Sequence, residues 1–249
     1  MQKIIYLSPH LDDAVLSCGA IIFDQIHAEK KSVEIWTVFA ADAPAAKLSA
    51  FAEELHARWK TGREGPALRR REDEAACAIL GCEAVHLPFA DCIYRFLSTG
   101  EARIQTNDDL FAFDNSKDQP MVVTLATFLQ SHLPETCELV VPLDVGGHID
   151  HCITRLAAET LHRPLQYYAD FPYAGGNPGK VKDQLIPEMR LHHFFPSTDG
   201  LKAWQNAAAA YKSQISTFWS STEVMKNALL EYSRSELGSV LWQREKAAY

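Results

Sequence analysis

The chain has 249 residues, of which 47% are hydrophobic and 22% charged, which are the proportions of an ordinary globular protein. These values exclude a mainly disordered chain or a long coiled coil, and the length suits one domain with a sizeable core. A net charge of −8 argues against a nucleic-acid or anionic-membrane surface, because such surfaces need clustered Lys and Arg. We therefore expect a small-molecule partner, and homo-oligomer formation stays open.

The N-terminal residues and the cysteines bear on the cellular compartment. The first apolar run is too short for a signal peptide, and no stretch approaches the length of a membrane span. The six cysteines lack C-x-x-C spacing, which disfavours a thiolate zinc site and favours reduced, buried thiols. We therefore expect a cytoplasmic protein.

Hydrophobic periodicity predicts strands alternating with helices along most of the chain. Strands are expected at residues 3–7, 33–41, 82–89, 137–143 and 164–171. Helices are expected at residues 14–30, 45–60, 68–80, about 120–132, and from about 148 onward. Beyond the fifth strand, the pattern predicts a loop at 174–180, an edge strand at 189–195 and one long helix at 201–219.

This alternation predicts an α/β fold with a Rossmann-like, mostly parallel sheet and helices on both faces, in a single domain. The core is expected at residues 1–173, and a C-terminal loop, edge strand and helices at 174–249. Ligands bind such sheets at the carboxyl ends of the strands. The segments SPHLDD, after the first strand, and DVGGHIDH, after the fourth, should therefore meet at one edge.

The segment SPHLDD places a histidine and two adjacent aspartates where a strand turns into a helix. Imidazole and carboxylate are both zinc ligands, so His10 and Asp13 could face one point while Asp12 stays free to contact a metal-bound water. The alternative is that Asp12 or Asp13 caps the helix, because the helix dipole favours a carboxylate there. This motif alone leaves both readings open.

The segment GGHIDHC carries two histidines, His148 and His151, which share one face if a helix has begun there. Gly146 and Gly147 let the backbone turn sharply before them. An ordinary helix start with partly exposed rings is the alternative. It loses weight because both motifs fall at the same predicted sheet edge, which favours a joint metal site.

These segments resemble the motifs of the PIG-L/LmbE deacetylases, zinc enzymes that remove acetyl groups from N-acetylglucosaminyl compounds. SPHLDD resembles the family's (A/S)HPDD or PHxDD signature, and HIDH resembles its later HxDH motif. Residues 69–91 are similar to its R-x-x-E helix, LG turn and strand ending in an aspartate. The resemblance runs from about residue 3 to Tyr173, with a weaker echo at residues 209–215.

Position by position, the resemblance implies that His10, Asp13 and His151 bind zinc. It implies that Asp12 is the general base and that His148 polarises the carbonyl or protonates the leaving amine. Two imidazoles and a carboxylate also suit ferrous iron, so the metal stays open between Zn²⁺ and Fe²⁺. The expected products are acetate and a free amino sugar.

The resemblance also implies contacts with the substrate. Arg71 and Asp91 match family positions that hold sugar hydroxyls, and Tyr94 and Arg95 follow Asp91 closely. A solvated helix face is the alternative for Arg71, and a helix cap is the alternative for Asp91.

Position 146 departs from the family pattern. Some members carry a tyrosine two residues before the first histidine of HxDH, where it helps to stabilise the oxyanion, whereas this chain has Gly146. Tyr173, after the fifth strand, is the candidate to take that part, and the alternatives are that His148 acts alone or that Tyr173 is a half-buried tyrosine at a strand end.

Three functional hypotheses follow. The leading one is a zinc-dependent N-deacetylase of an N-acetylglucosamine-type small molecule. The second is a metal-dependent amidase of another sugar-linked amide that uses the same ligands. The third is a non-catalytic sugar- or nucleotide-binding module, which is disfavoured because SPHLDD stands where a G-x-G-x-x-G motif would follow the first strand.

Overall fold

A computed structural model describes residues 2–45, 48–59, 62–175, 178–186 and 188–244. Its strands are β1 (Lys3–Ser8), β2 (Ser32–Thr37), β3 (Glu83–His86), β4 (Cys137–Pro142), β5 (Leu165–Tyr168), β6 (Met189–His193) and β7 (Val240–Arg244). Its α-helices are α1 (Asp13–His27), α2 (Ala50–Trp59), α3 (Gly65–Leu80), α4 (Asn115–His132), α5 (Ile149–Glu159), α6 (Pro178–Gln184), α7 (Thr198–Ala208), α8 (Lys212–Phe218) and α9 (Thr222–Ser233).

The strands form one sheet in the order β3-β2-β1-β4-β5-β7-β6. Strands β1 to β5 pair in parallel, and β7 pairs antiparallel with both β5 and β6. This confirms the predicted single-domain, Rossmann-like and mostly parallel sheet. The chain order reverses between β1 and β4, and the carboxyl ends of two such strands border the crevice in which ligands bind.

The core lies on both faces of the sheet. Ile5 and Leu7 of β1 enter one hydrophobic cluster, while Ile4 and Tyr6 enter the other, and all four are fully buried. A strand buried on both faces reads as a continuous apolar run, which is why the sequence revealed it. Helices α1, α3 and α7 cover one face and α4 and α5 the other, as predicted.

The predicted long helix at residues 201–219 is wrong, because two helices, α7 and α8, occupy this segment. The Tyr211 hydroxyl, at the break, donates a 2.6 Å hydrogen bond to Oδ1 of the buried Asp73. The amide of Ser213 donates to Glu72 at 2.9 Å. These bonds to α3 outweigh the helix propensity of the alanine run, and the break carries no glycine or proline to signal it.

The C-terminal part contains a strand that the sequence did not reveal. Strand β7 lies between β5 and β6, so the predicted edge strand exists but pairs with β7. The predicted loop at 174–180 includes the start of α6, and residues 176 and 177 lie outside the described part.

All six cysteines are free thiols. No helix in the described ranges has the length and apolar character needed to cross a bilayer.

Candidate active site

The turn from β1 into α1 shows which residue caps the helix. The Ser8 hydroxyl donates to the His10 carbonyl oxygen at 2.6 Å and accepts from the Ala14 amide at 3.0 Å. Asp12 stands at the N-cap position but makes no capping hydrogen bond, and Asp13 Oδ2 accepts from the His10 amide at 2.7 Å. The capping alternative is therefore wrong for Asp12, because Ser8 accepts from the first turn of the helix and the Asp12 carboxylate makes no capping hydrogen bond.

The turn from β4 into α5 buries both histidines of the second motif. Gly146 and Gly147 adopt φ values of 134° and 73°, which favour glycine. His148 caps α5, and its Nδ1 accepts from the Asp150 amide at 3.2 Å, so the neutral ring carries its proton on Nε2. His148 and His151 are only 9% and 2% exposed, which excludes a helix start with exposed rings.

The Asp13 carboxylate of the first motif contacts a histidine from each of the two motifs. Asp13 Oδ2 lies 3.2 Å from His10 Nδ1 and 3.2 Å from His151 Nε2. Ligands bound at about 2.0–2.1 Å in a tetrahedral arrangement stand roughly 3.3 Å apart. Ring nitrogens of His10, His148 and His151 also lie within 4.8 Å of one another. The imidazole and carboxylate donors gathered here therefore suit a divalent metal ion.

Two further carboxylates hold the rings of these histidines. Asp150 Oδ2 lies 3.1 Å from His10 Nε2, and Asp170 Oδ1 lies 2.5 Å from His151 Nδ1. Histidines that bind metal usually donate their second N–H to a carboxylate, which fixes the tautomer. The sequence alone predicted no role for Asp150 or Asp170, although Asp150 stands next to His151 and Asp170 closely follows a strand.

The charges of this cluster favour a bound cation. Burial opposes a charge on His10, but hydrogen bonds to Asp13 and Asp150 outweigh it and raise its pKa to about 10. Burial likewise opposes a charge on His151, but Asp13 and Asp170 raise its pKa well above the usual range. The carboxylates thus hold two protons that a metal ion can replace.

Asp12 and His148 differ from the proposed ligands in their protonation. Burial raises the pKa of Asp12 to about 7, against the lowering effect of Arg69, whose Nη2 lies 3.3 Å from Asp12 Oδ1. Burial and the neighbouring His10 lower the pKa of His148 to about 3. Asp12 is therefore suited to exchange a proton near neutral pH, and His148 is a neutral hydrogen-bond donor.

The cluster opens into a cavity of about 270 Å³. Asp91 and Tyr173 line this cavity, as expected of substrate contacts. Asp91 Oδ1 also accepts from the Ile93 amide at 3.1 Å. Asp91 therefore caps the next helical turn, as the alternative predicted, and lines the cavity as well.

Arg71 is not brought to the site, which corrects the prediction that it contacts substrate. It is exposed on α3, whereas Arg69 lines the cavity beside Asp12. The run of three arginines fits R-x-x-E in two registers, and sequence could not choose between them. The hydrogen bond of Glu72 to Ser213 shows that the pair Arg69 and Glu72 faces inward.

Tyr94 and Arg95 lie next to the main cavity and have protein partners. The Tyr94 hydroxyl shares a 2.7 Å hydrogen bond with His56 Nε2, and Tyr94 lines a small adjoining pocket together with Asp91 and Arg69. Arg95 forms an ion pair with Asp150, and its guanidinium lies 5.0 Å from the centre of the Phe39 ring. Arg95 therefore positions the Asp150 carboxylate, whereas the sequence predicted that it contacts substrate.

The ring of Tyr173 occupies the space next to Gly146. A Cβ atom at Gly146 would lie 3.1 Å from Tyr173 Cγ, so a side chain at position 146 would require this ring to shift. The Tyr173 ring centre lies 6.0 Å from that of His151. Burial raises the pKa of Tyr173 to about 12, so its hydroxyl keeps its proton at neutral pH.

A Rossmann-like sheet with this donor set, a proton acceptor and a neutral imidazole at its switch point defines a metal-dependent hydrolase. The chain belongs to the PIG-L family, described as GlcNAc-PI de-N-acetylase, whose sequence pattern matches residues 5–162. This confirms the resemblance found in the sequence and the predicted enzyme class, a metal-dependent N-deacetylase.

Similar proteins agree with this assignment. The 2'-N-acetylparomamine deacetylase of Niallia circulans is 27% identical over 190 residues, covering 69% of this chain and 68% of its own. A zinc-inhibited form of teicoplanin deacetylase is 27% identical with a TM-score of 0.84, covering 99% of this chain and 100% of its own. The A40926 pseudoaglycone deacetylase is 29% identical with a TM-score of 0.74, covering 99% and 98%.

Proposed function

We propose that this protein is a Zn²⁺-dependent hydrolase that removes the acetyl group from an N-acetylglucosamine-type amino sugar derivative. The observation that carries the proposal is the position of Asp13 Oδ2, 3.2 Å from a ring nitrogen of both His10 and His151. Fe²⁺ is the alternative metal, because the same donors suit it. The free state of all six cysteines supports a reducing, cytoplasmic location.

His10, Asp13 and His151 would hold the metal, which when bound supplies Lewis acidity and lowers the pKa of water from about 15.7 toward 7. Asp12 accepts the proton of the attacking water, and its pKa of about 7 lets it keep that proton at neutral pH. Arg69, 3.3 Å away, orients the Asp12 carboxylate.

Two neutral donors face the acetamido group. His148 donates through Nε2 to the carbonyl oxygen as negative charge develops there, because its Nδ1 is occupied by the Asp150 amide. The Tyr173 hydroxyl is the second donor, carried by a ring that packs beside Gly146 and lines the cavity. Each such donor is typically worth about 3 kcal/mol to the transition state. Asp12 then returns its proton to the leaving amine, and acetate and a free amino sugar result.

The test is acetate release from a panel of N-acetylated amino sugars. The metal-depleted protein is compared with samples reloaded with one equivalent of Zn²⁺ or Fe²⁺. We expect acetate and free amine in equal amounts, and only from the reloaded samples. N-benzoyl analogues separate an N-deacetylase from a general amidase. A fully metal-loaded protein that releases acetate from none of these sugars would contradict the proposal.

A further inference from the structure

A buried ion pair lies in the part of the chain between β3 and α4. Arg103 is 7% exposed, and Asp118, in the first turn of α4, is 3% exposed. Arg103 Nε donates to Asp118 Oδ1 at 2.8 Å, and Arg103 Nη2 donates to Asp118 Oδ2 at 2.7 Å. These two side chains, which we call the clamp, join the two ends of residues 104–117.

The clamp says more about geometry than about stability. Moving two charges from water into the interior costs much of the energy that their attraction supplies, so a buried ion pair is weak evidence for stability. A bidentate pair of guanidinium and carboxylate, however, requires one relative orientation of its partners. The Asp114 amide adds a bond to Asp118 Oδ2 at 2.8 Å. The clamp therefore fixes how residues 104–117 leave Arg103 and enter α4.

One connection leads from the clamp to His148 through Phe111. Arg103 Nη2 also donates to the Ala112 carbonyl oxygen at 2.6 Å, directly after the helical turn Asp108–Phe111. The Phe111 ring lies edge-to-face with the His148 ring, with 5.7 Å between the ring centres. Aromatic rings favour this arrangement. The position of Phe111, and with it one contact of His148, therefore depends on Arg103.

A second connection reaches His148 through Asp150. The Arg103 amide donates to the Arg95 carbonyl oxygen at 2.9 Å across a short hairpin. Arg95 forms an ion pair with Asp150, and the Asp150 amide donates to His148 Nδ1 at 3.2 Å. His148 thus contacts the Phe111 ring and the Asp150 amide, and both contacts lead back to Arg103.

We propose that Arg103 and Asp118 are positioning residues for deacetylation, because their ion pair holds the His148 ring with Nε2 toward the acetamido group. Neither side chain is among the residues that line the cavity, so each acts through another residue. The inference rests on the proposed function, in which His148 donates to the carbonyl oxygen as charge develops. Such a donor acts only at the correct distance and angle, so a ring that is free to turn lowers kcat and leaves KM unchanged.

The first arm of the experiment measures kcat and KM of Arg103→Lys in the Zn²⁺-loaded protein. Lysine keeps a positive charge beside Asp118 but cannot form the bidentate pair. We expect kcat to fall by at least about tenfold while KM stays within about twofold. The matched control is Arg163→Lys, because Arg163 holds the carbonyl oxygens of Pro134 and Cys137 at the amino edge of the sheet. That control should keep the wild-type kcat.

The second arm separates the positioning of His148 from a general loss of structure. Arg103→Lys is combined with His148→Gln, which removes the imidazole. If the clamp acts through His148, Arg103→Lys should change the kcat of that variant by less than about twofold, because the two substitutions then remove the same contribution. An equal fold-loss of kcat with and without His148 would show that the clamp only supports the fold, and would overturn the inference.

A readout without turnover separates the inference from the proposed function. In the wild type, ¹⁵N NMR spectra should show a neutral His148 protonated on Nε2 alone, because Nδ1 accepts from the Asp150 amide. Arg103→Lys should show both tautomers, and so should Phe111→Ala, which leaves the clamp intact and serves if Arg103→Lys does not fold.

The NMR outcomes are distinct from those of the acetate assay. A single, unchanged tautomer in every folded variant would overturn the inference and leave the deacetylase function intact. A wild-type protein that releases no acetate, but whose His148 changes tautomer in these variants, would overturn the deacetylase function and still support the positioning of His148 by the clamp.

Discussion

Asp170 Oδ1 lies 2.5 Å from His151 Nδ1, and both side chains are almost fully buried. Asp170 follows β5 and His151 belongs to α5, so the contact joins two neighbouring segments at the carboxyl edge of the sheet. It fixes the His151 ring with Nε2 toward Asp13. The proposed metal centre therefore depends on a carboxylate that is not itself a ligand.

Asp170→Asn should weaken metal binding by about 10- to 100-fold, because the amide holds the ring less firmly and lowers its basicity. The measurement is Zn²⁺ affinity by competition with a chromophoric chelator. Asp199→Asn is the control, since the Asp199 side chain is 82% exposed and remote from the site. An unchanged Zn²⁺ affinity in Asp170→Asn would show that this contact does not support the metal centre.

Helix α3 carries one arginine that faces the site, Arg69, and one that faces solvent, Arg71. Their substitutions make a matched pair. Arg69→Gln should lower kcat/KM by at least about tenfold, because it removes a charged partner worth about 1.5–3 kcal/mol from Asp12. Arg71→Gln should stay within about twofold, as expected for an exposed substitution. The reverse order of effects would restore Arg71 as the substrate contact.

Tyr173→Phe keeps the ring beside Gly146 and removes only the hydroxyl. If that hydroxyl stabilises the oxyanion, kcat should fall by about 10²- to 10³-fold while KM changes little. Steady-state kinetics on a single N-acetylglucosaminide decide the matter. A kcat equal to that of the wild type would mean that Tyr173 is a packing residue at a strand end.

Zn²⁺ should raise the thermal midpoint of unfolding of the metal-depleted protein. A metal that binds only the folded state stabilises it by about 2.7 kcal/mol at 100 times its Kd. Mg²⁺ at the same concentration should have little effect, because it prefers oxygen ligands and several waters. The midpoint is measured by scanning fluorimetry. Equal shifts with Zn²⁺ and Mg²⁺ would argue against a site with two imidazoles.

The sequence predicted the parallel part of the sheet and both motifs because their signals are local. Strand β1 is a continuous apolar run, and His10 and His151 stand in short segments directly after strands or at a helix start. The break between α7 and α8 was missed because its cause, the bond from Tyr211 to Asp73, joins residues 138 positions apart.

The same limit applies within the site. To choose Arg69 over Arg71, one must know which side of α3 faces the site. Neighbouring arginines look alike in the sequence, so it gives no such information. The pairing of Asp150 with His10 spans 140 positions and left no periodic pattern to detect. Strand β7 is a short segment whose partners, β5 and β6, both precede it in the chain.

The most direct test of the account is the rate of acetate release by Asp12→Asn at equal metal content. Asparagine keeps the shape of the side chain but cannot accept the proton of the attacking water. Because Asp12 is placed outside the ligand set, the variant should retain one equivalent of metal while kcat falls by about 10²- to 10⁴-fold. Full activity in a variant that still holds its metal would contradict the central claim that Asp12 is the general base of a metal-dependent deacetylase.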